Sequence, residues 1–197
     1  TANYDYSFID NSSEEVSRLE GYLFPDTYEF YKNHNAKNAL GKLIDAFADR
    51  IDEDAFASSK AKSMGYSMKD VVIIASLIEK ETDGTDQRDI ASVIYNRLNI
   101  GMPLQLDSTV VYAIRETGET TMSTEPTQAT DSPYNTYLYQ GLPPGPICNP
   151  GMKSIEAALN PEQTGYYYFA LDMETKSMRF FATLAEHEAF VATQDYG

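Results

Sequence analysis

Cysteine is nearly absent from this chain. Cys148 is the only one in 197 residues, which excludes an internal disulfide and leaves the redox compartment open. Histidine is almost as scarce: His34 and His187 stand far apart without metal-type spacing, so no zinc site and no other cofactor is expected. Positive charge is short as well, with 15 Lys and Arg against 30 Asp and Glu and a formal net charge of −15. That balance argues against a partner held through its phosphates, whether nucleic acid or an anionic membrane face. It suits a neutral substrate such as a polysaccharide without selecting one. The longest apolar run, Val71 to Ile78 broken only by Ser76, is about eight residues, too short to cross a bilayer. No basic-then-apolar leader opens the chain, so any signal or anchor is expected to lie ahead of these residues or not to exist. Internal repeats and low-complexity tracts are missing too.

What is present is globular in character: 42% hydrophobic and 12% aromatic residues, enough for one good-sized domain with or without an appendage. The chain is organised around Val71-Val-Ile-Ile-Ala-Ser-Leu-Ile-Glu-Lys-Glu-Thr82. Ser67-Met-Lys-Asp70 ahead of it has the capping-box pattern, and Asp83-Gly84 supplies a stop. At about 100° per residue, Ile74, Leu77 and Ile78 lie within roughly 60° of Glu81, and Val71 and Ile73 within roughly 80°. Glu79 points about 200° away from Glu81, so the two cannot act as a pair across one bond. Only Glu81 prolongs the apolar stripe, where desolvation raises a carboxyl pKa and holds it protonated, as a general acid requires. The alternative is that both glutamates are solvated residues at a helix end. An acidic residue near a helix C-terminus also opposes the macrodipole.

Residues 1–18 read as polar and without firm structure. Leu19 to Tyr31 is dense in aromatics around the Pro25-Asp26 turn signal; it reads as extended segments of core or sheet-face residues, with Tyr22, Phe24 and Tyr28 as candidates for stacking on a sugar ring. Leu40, Leu43, Ile44, Phe47 and Ile51 recur at helical spacing between Ala36 and about Asp54, with Asp45, Asp49 and Asp52 on the solvated face. A weakly helical stretch follows to Gly65. After the central helix comes a second, Gln87 to about Asn99, with Ile90, Val93, Ile94 and Leu98 as its stripe and Gly101 as its stop. Glu81 then sits at the mouth of the corner between the two. Met102 to Asp107 is extended, and a short helix resumes to Ile114 behind a Ser108 cap. Arg115 to Asp131 is a polar excursion. Five prolines and three glycines between Pro133 and Gly151 make a stiff segment that is neither helix nor strand, of the kind that shapes a binding site. Lys153 to Asn160 is a short helix closed by Pro161. Gly165–Asp172 and Ser177–Ala182 form a β-hairpin, and Leu184 to Thr193 a last helix carrying a non-catalytic His187.

Several of these segments together resemble the catalytic domain of the MltG (YceG-like) family of endolytic murein transglycosylases. The resemblance is carried by Leu19-Glu-Gly-Tyr-Leu-Phe-Pro-Asp-Thr-Tyr28, Ala75-Ser-Leu-Ile-Glu-Lys-Glu-Thr82, Ala91-Ser-Val-Ile-Tyr-Asn-Arg-Leu98 and Ile100-Gly-Met-Pro-Leu-Gln-Leu-Asp107. Tyr134-Asn-Thr-Tyr137, Gly141-Leu-Pro-Pro-Gly-Pro-Ile147, Asn149-Pro-Gly151 and the Tyr166-to-Phe181 hairpin complete it. Pro103 and Leu106 depart from relatives, while Gln105 and Asp107 keep the Gln-x-Asp pattern. The match is long, ordered and short-gapped; no single motif would be specific.

The resemblance implies an α+β fold, a mainly helical lysozyme-like catalytic core with a small antiparallel β element. It implies a YceG-like catalytic domain at 19–197, with 1–18 as a remnant of a preceding LysM-like region. Such proteins are bitopic, with a single membrane anchor and the catalytic domain on the extracytoplasmic side; the anchor and most or all of the LysM-like region fall outside these residues. They cut within nascent peptidoglycan strands, and the catalytic glutamate of the family maps to Glu81. On that basis Glu81 protonates the bond between N-acetylmuramic acid and N-acetylglucosamine, and the muramoyl C6 hydroxyl closes a 1,6-anhydro ring. One carboxylate serves as acid and then base. Gln105, Asn135 and Tyr137 are the choices for hydrogen bonds to sugar N-acetyl groups or to Glu81, and Asp107 for orienting donors or stabilising positive charge. Loop bracing is the alternative role for each of the four. The partners expected are glycan strands and cell-wall synthesis proteins, with no nucleic acid. Competing readings are a hydrolytic muramidase, a non-catalytic glycan-binding scaffold and a regulator that docks other wall-synthesis proteins.

Overall fold

The computed structural model describes residues 4–12, 16–33, 35–51, 53–82, 84–117 and 130–196. His34, Asp52, Asp83 and most of the 115–131 excursion (118–129) therefore lie outside the described residues. A 3-10 turn at Val16–Leu19 precedes α1 (Ala36–Arg50), α2 (Glu53–Ala57), α3 (Lys60–Ser63), α4 (Met68–Glu81), α5 (Gln87–Asn99), α6 (Asp107–Thr117) and α7 (Met152–Leu159). Strands β1 (Tyr168–Leu171) and β2 (Met178–Phe181) and helix α8 (Leu184–Val191) close the chain. The fold is α+β and mainly helical, as expected. Its β element is one antiparallel hairpin in which Tyr168 faces Phe181 and Leu171 faces Met178.

The core is built on α4. Its start is fixed by the capping box read from the sequence: Ser67 Oγ accepts from the Asp70 amide, and the Asp70 carboxylate accepts from the Ser67 amide. Every residue from Val71 to Ile78 is buried. The expected single stripe is thus only part of the picture, because α5, α6 and α7 surround the helix and all its faces must be apolar. Ser76 tolerates that burial by donating to the Ile73 carbonyl and accepting from the Ile147 amide.

That second bond begins a set of staples along the Pro/Gly-rich segment, which is neither helix nor strand from 131 to 151. Asn149 Oδ1 accepts from the Gly21 and Leu23 amides at 2.8 and 3.1 Å. Gly21 must be glycine there: its φ is +88°, and a Cβ would lie 2.5 Å from Pro146 Cγ. The aromatic stretch ahead of it forms no strand. Tyr22 and Phe24 are in the core, Tyr22 edge-on to Phe47, so they cannot serve as sugar platforms. Tyr28 is half-buried and donates to the Phe24 carbonyl. Tyr4 and Ile9, ahead of Leu19, belong to the same buried cluster, while Asp5, Ser7, Asp10, Asn11 and Ser12 are exposed.

Helix α1 buries Ile44 and Phe47 and leaves Asp45 and Asp49 exposed, as its spacing predicts. Gly65 and Gly101 stop their segments in the left-handed region. The hairpin rests on α5 through β1, and α8 covers it, started by a Thr183–Glu186 capping box.

Candidate active site

Glu81 is the last residue of α4; Thr82 is already extended, with φ −155° and ψ 148°. Its side chain is half-buried and does not end in open water. It meets the first turn of α6, where Ser108 Oγ donates to Glu81 Oε1 at 2.6 Å. The physical reason is that α6 packs on α4 and presents its N-terminus, the electropositive end of a helix, to the carboxylate. Ser108 therefore does not cap α6. The helix begins one residue earlier, at Asp107, and the hydroxyl is left available for Glu81. Burial raises the Glu81 carboxyl above its ordinary pKa; the Ser108 bond opposes this, and the charge of Asp107 adds to it.

Glu79 faces elsewhere, as its helical angle requires. Its Oε2 accepts from the Gly151 amide at 3.1 Å and from Ser154 Oγ at 2.6 Å, so it holds the start of α7 against α4. One glutamate of the Glu-Lys-Glu sequence is thus a brace and the other a desolvated acid.

Asp107 and Tyr137 are brought to Glu81 together. Tyr137 OH donates to Asp107 Oδ1 at 2.5 Å. Burial and this bond push the phenol pKa well above its ordinary range, with the charges of Asp107 and Glu81 acting the same way. Tyr137 therefore remains a proton donor to Asp107 at any physiological pH. The loop carrying it is stitched to the α6 start through Thr136. The Thr136 carbonyl accepts from the Gln105 amide, its Oγ1 accepts from the Leu106 amide, and its hydroxyl pairs with that of Thr109. Gln105 is held by these bonds at φ +51° with its side chain exposed, a conformation that costs a non-glycine residue roughly 1–2 kcal/mol.

Asn135 does something different. It is 0% exposed; Nδ2 donates to the Thr130 carbonyl and Oδ1 accepts from the Tyr137 amide. A direct hydrogen bond to a sugar would require the side chain to leave a sealed site, so Asn135 braces the loop that positions Tyr137.

Three residues of the arrangement escape sequence reasoning. Ser108 is misread as a helix cap because a serine at a helix start is usually one. Thr136 lies within the Asn135-Thr-Tyr137 motif but contributes through backbone partners that no pattern displays. Arg97 ends the α5 stripe as a buried cation. Its Nε donates to the Tyr167 carbonyl and NH1 to Leu104, both at 2.6 Å, with Pro103 at 3.3 Å, tying the hairpin to the segment that leads into Asp107. Two surface cavities, of about 300 and 240 Å³, are lined by none of Glu81, Asp107, Ser108 or Tyr137. Among the described residues no cluster of His, Cys, Asp and Glu could hold a metal.

The arrangement defines a class: a helical α+β domain with one desolvated carboxyl at a helix end, a hydroxyl on it, and a second, hydrogen-bonded carboxylate beside it. Comparison with known proteins gives the family. The model of the YceG-like family matches residues 3–193, and this chain belongs to that family. It is 43% identical over 171 residues to the endolytic murein transglycosylase of Bacillus subtilis (strain 168), covering 86% of this chain and 46% of that protein. It is 34% identical over 179 residues to the endolytic murein transglycosylase of Streptococcus pneumoniae (strain ATCC BAA-255 / R6), covering 89% of this chain and 32% of that one. A crystal structure of a yceG-like protein from Listeria monocytogenes superposes with a TM-score of 0.76 at 39% identity, over 92% of this chain and 58% of the other. The chain thus spans less than half the length of these two curated relatives.

Proposed function

We propose that this chain carries the catalytic unit of an endolytic peptidoglycan lytic transglycosylase, with Glu81 as its acid and base. The observation that supports this most directly is the carboxyl of Glu81, desolvated at the end of α4 and hydrogen-bonded by Ser108 beside Asp107. In its protonated form Glu81 gives its proton to the glycosidic oxygen between N-acetylmuramic acid and N-acetylglucosamine. The C1–O bond breaks through an oxocarbenium-like transition state. The muramoyl C6 hydroxyl attacks C1, and its proton returns to the Glu81 carboxylate, restoring the acid. No water is consumed, and the new end is a 1,6-anhydro sugar.

Asp107, held by Tyr137, is the group proposed to stabilise the oxocarbenium with its negative charge. The exposed Gln105 side chain and the Tyr137 phenol are the groups proposed to meet the sugar, with Asn135 acting through Tyr137. The catalytic unit proposed is 19–197, with Tyr4 and Ile9 of the preceding stretch packed against it. The resemblance to bitopic relatives supports a single-pass anchor in the longer protein, an extracytoplasmic site and contacts with cell-wall synthesis proteins. Among the described residues no helix is long and apolar enough to cross a membrane.

One observation favours a second reading. Asp107 is a carboxylate near the acid, as a hydrolytic muramidase would need to activate water. Product mass separates the two on purified glycan strands, since an anhydro end is one water lighter than a hydrolysed one. Release of anhydro-ended fragments that disappears in Glu81→Gln supports transglycosylation; hydrolysed ends would favour the muramidase, and an active Glu81→Gln would remove both.

A further inference from the structure

Resting on that reading of Glu81, we propose that Ser108 is a positioning residue that divides the labour between the two oxygens of the acid: Oε1 accepts from Ser108 throughout, and Oε2 carries every proton transfer. A protonated carboxyl has one carbonyl oxygen, which accepts well, and one hydroxyl oxygen, which donates. A hydroxyl donating to Oε1 at 2.6 Å therefore assigns the proton to Oε2. The bond persists through the cycle, because Oε1 accepts whether the group is protonated or ionised. Among the described residues Oε2 makes no hydrogen bond, so it is the oxygen available to substrate.

Glu81 needs such a hold from outside its own helix. It ends α4 and the backbone turns extended immediately after it, leaving a side chain with three free torsions unless something fixes its tip. Ser108 is fixed in turn by the first turn of α6, which Thr109 and Thr136 fasten to the neighbouring loop. Its hydroxyl is not used as a helix cap.

Asp107 faces Glu81 from α6 and Tyr137 from the 132–151 segment. Arg97 of α5 is turned to backbone carbonyls and to Tyr137. Glu79 and Lys80 leave α4 toward Ser154 and Cys148, and α7 offers Ser154 to Glu79 rather than anything to Glu81. Ser108 is thus the direct donor on the acid, and it favours the ionised form where burial and Asp107 favour the neutral one.

The test compares the 197-residue protein with Ser108→Ala and Ser108→Thr, using Glu81→Gln to assign the Glu81 carboxyl carbon by its disappearance in ¹³C NMR. Loss of the donor should move the Glu81 titration to higher pH in Ser108→Ala, and Ser108→Thr should return it. On glycan strands, Ser108→Ala should lose roughly tenfold in kcat with KM changed less than about twofold, and its alkaline limb should move up in pH. Should the alanine variant fail to fold, Ser108→Cys, a weak donor, is expected to show the same displacement. An unmoved titration in Ser108→Ala, or a displacement that Ser108→Thr does not reverse, overturns this proposal and leaves Glu81 as the acid. Turnover by Glu81→Gln overturns the underlying reading instead.

Discussion

Glu79→Gln and Glu81→Gln are isosteric changes two positions apart, and the structure predicts opposite consequences. Glu79 accepts two hydrogen bonds, from the Gly151 amide and from Ser154, whose side chain is 1% exposed. Hydrogen bonds to charged groups are worth roughly 1.5–3 kcal/mol each, and a carboxylate at a helix start roughly 0.3–1 kcal/mol. Glutamine keeps an acceptor oxygen and loses only the charge, and Glu79 is exposed, so the low end applies: about 1 kcal/mol, or roughly 2–4 °C in Tm for a chain of this size. Turnover should stay near wild type. In Glu81→Gln the amide oxygen can still accept from Ser108, but no proton is available, so release of anhydro ends should fall at least roughly a hundredfold.

The stability effect at position 81 has the other sign. The folded-state pKa of Glu81 is raised above its unfolded value, so its stabilising contribution is complete below the unfolded pKa and is lost as pH rises through the folded one. Glutamine has no such loss. Glu81→Gln should therefore be the more stable protein near about pH 8, with the gap over wild type closing toward about pH 4. Calorimetry across that range, with mass spectrometry of the released glycan ends, reads both quantities. A pH-independent gap would refute the claim that Glu81 is desolvated, and a Glu79→Gln variant as inactive as Glu81→Gln would refute the separation of roles by helix face.

Other substitutions test the scaffold. Asn135→Ala removes the bonds to Thr130 and Tyr137 inside a sealed site and should lower stability by about 2 kcal/mol in urea melts, with reduced turnover because Tyr137 loses its support. Arg97→Lys replaces a fork on three carbonyls with a point donor and should cost about 3 kcal/mol; a urea midpoint within error of wild type would show that the fork is dispensable. Gly21→Ala places a methyl 2.5 Å from Pro146 Cγ and 2.8 Å from Val72 Cγ1 at φ +88°, so a loss of about 3 kcal/mol or more is expected, seen as a lowered Tm and soluble yield.

Local periodicity and punctuation made much of this architecture readable. Ser67 and Asp70 mark the start of α4, Gly101 follows the end of α5, and Gly165 to Ala182 holds two short aromatic-rich runs either side of the Met173–Lys176 turn; each signal is written within a few residues of where it acts. The opposition of Glu79 and Glu81 was equally accessible, because two positions on one helix differ by a fixed angle whatever surrounds them. What stayed open or was misread has one cause in common. Tyr22 and Phe24 read as core residues that could also be sugar platforms, because aromatics look alike in sequence whether they face solvent or Phe47. Ser108 looked like a cap because the same hydroxyl can satisfy an amide of its own helix or a carboxylate 27 residues away.

The sequence by itself determined the helices, the hairpin and the family, and it marked Glu81 as the candidate acid, all from short-range pattern or ordered motifs. Only the tertiary structure decided what touches that glutamate. Ser108 reaches it, and the charge of Asp107, with Tyr137 bonded to it, acts on it, because α6 packs on α4 and Thr136 fastens the following loop. Contacts between distant segments depend on how whole elements pack, which no local spacing encodes.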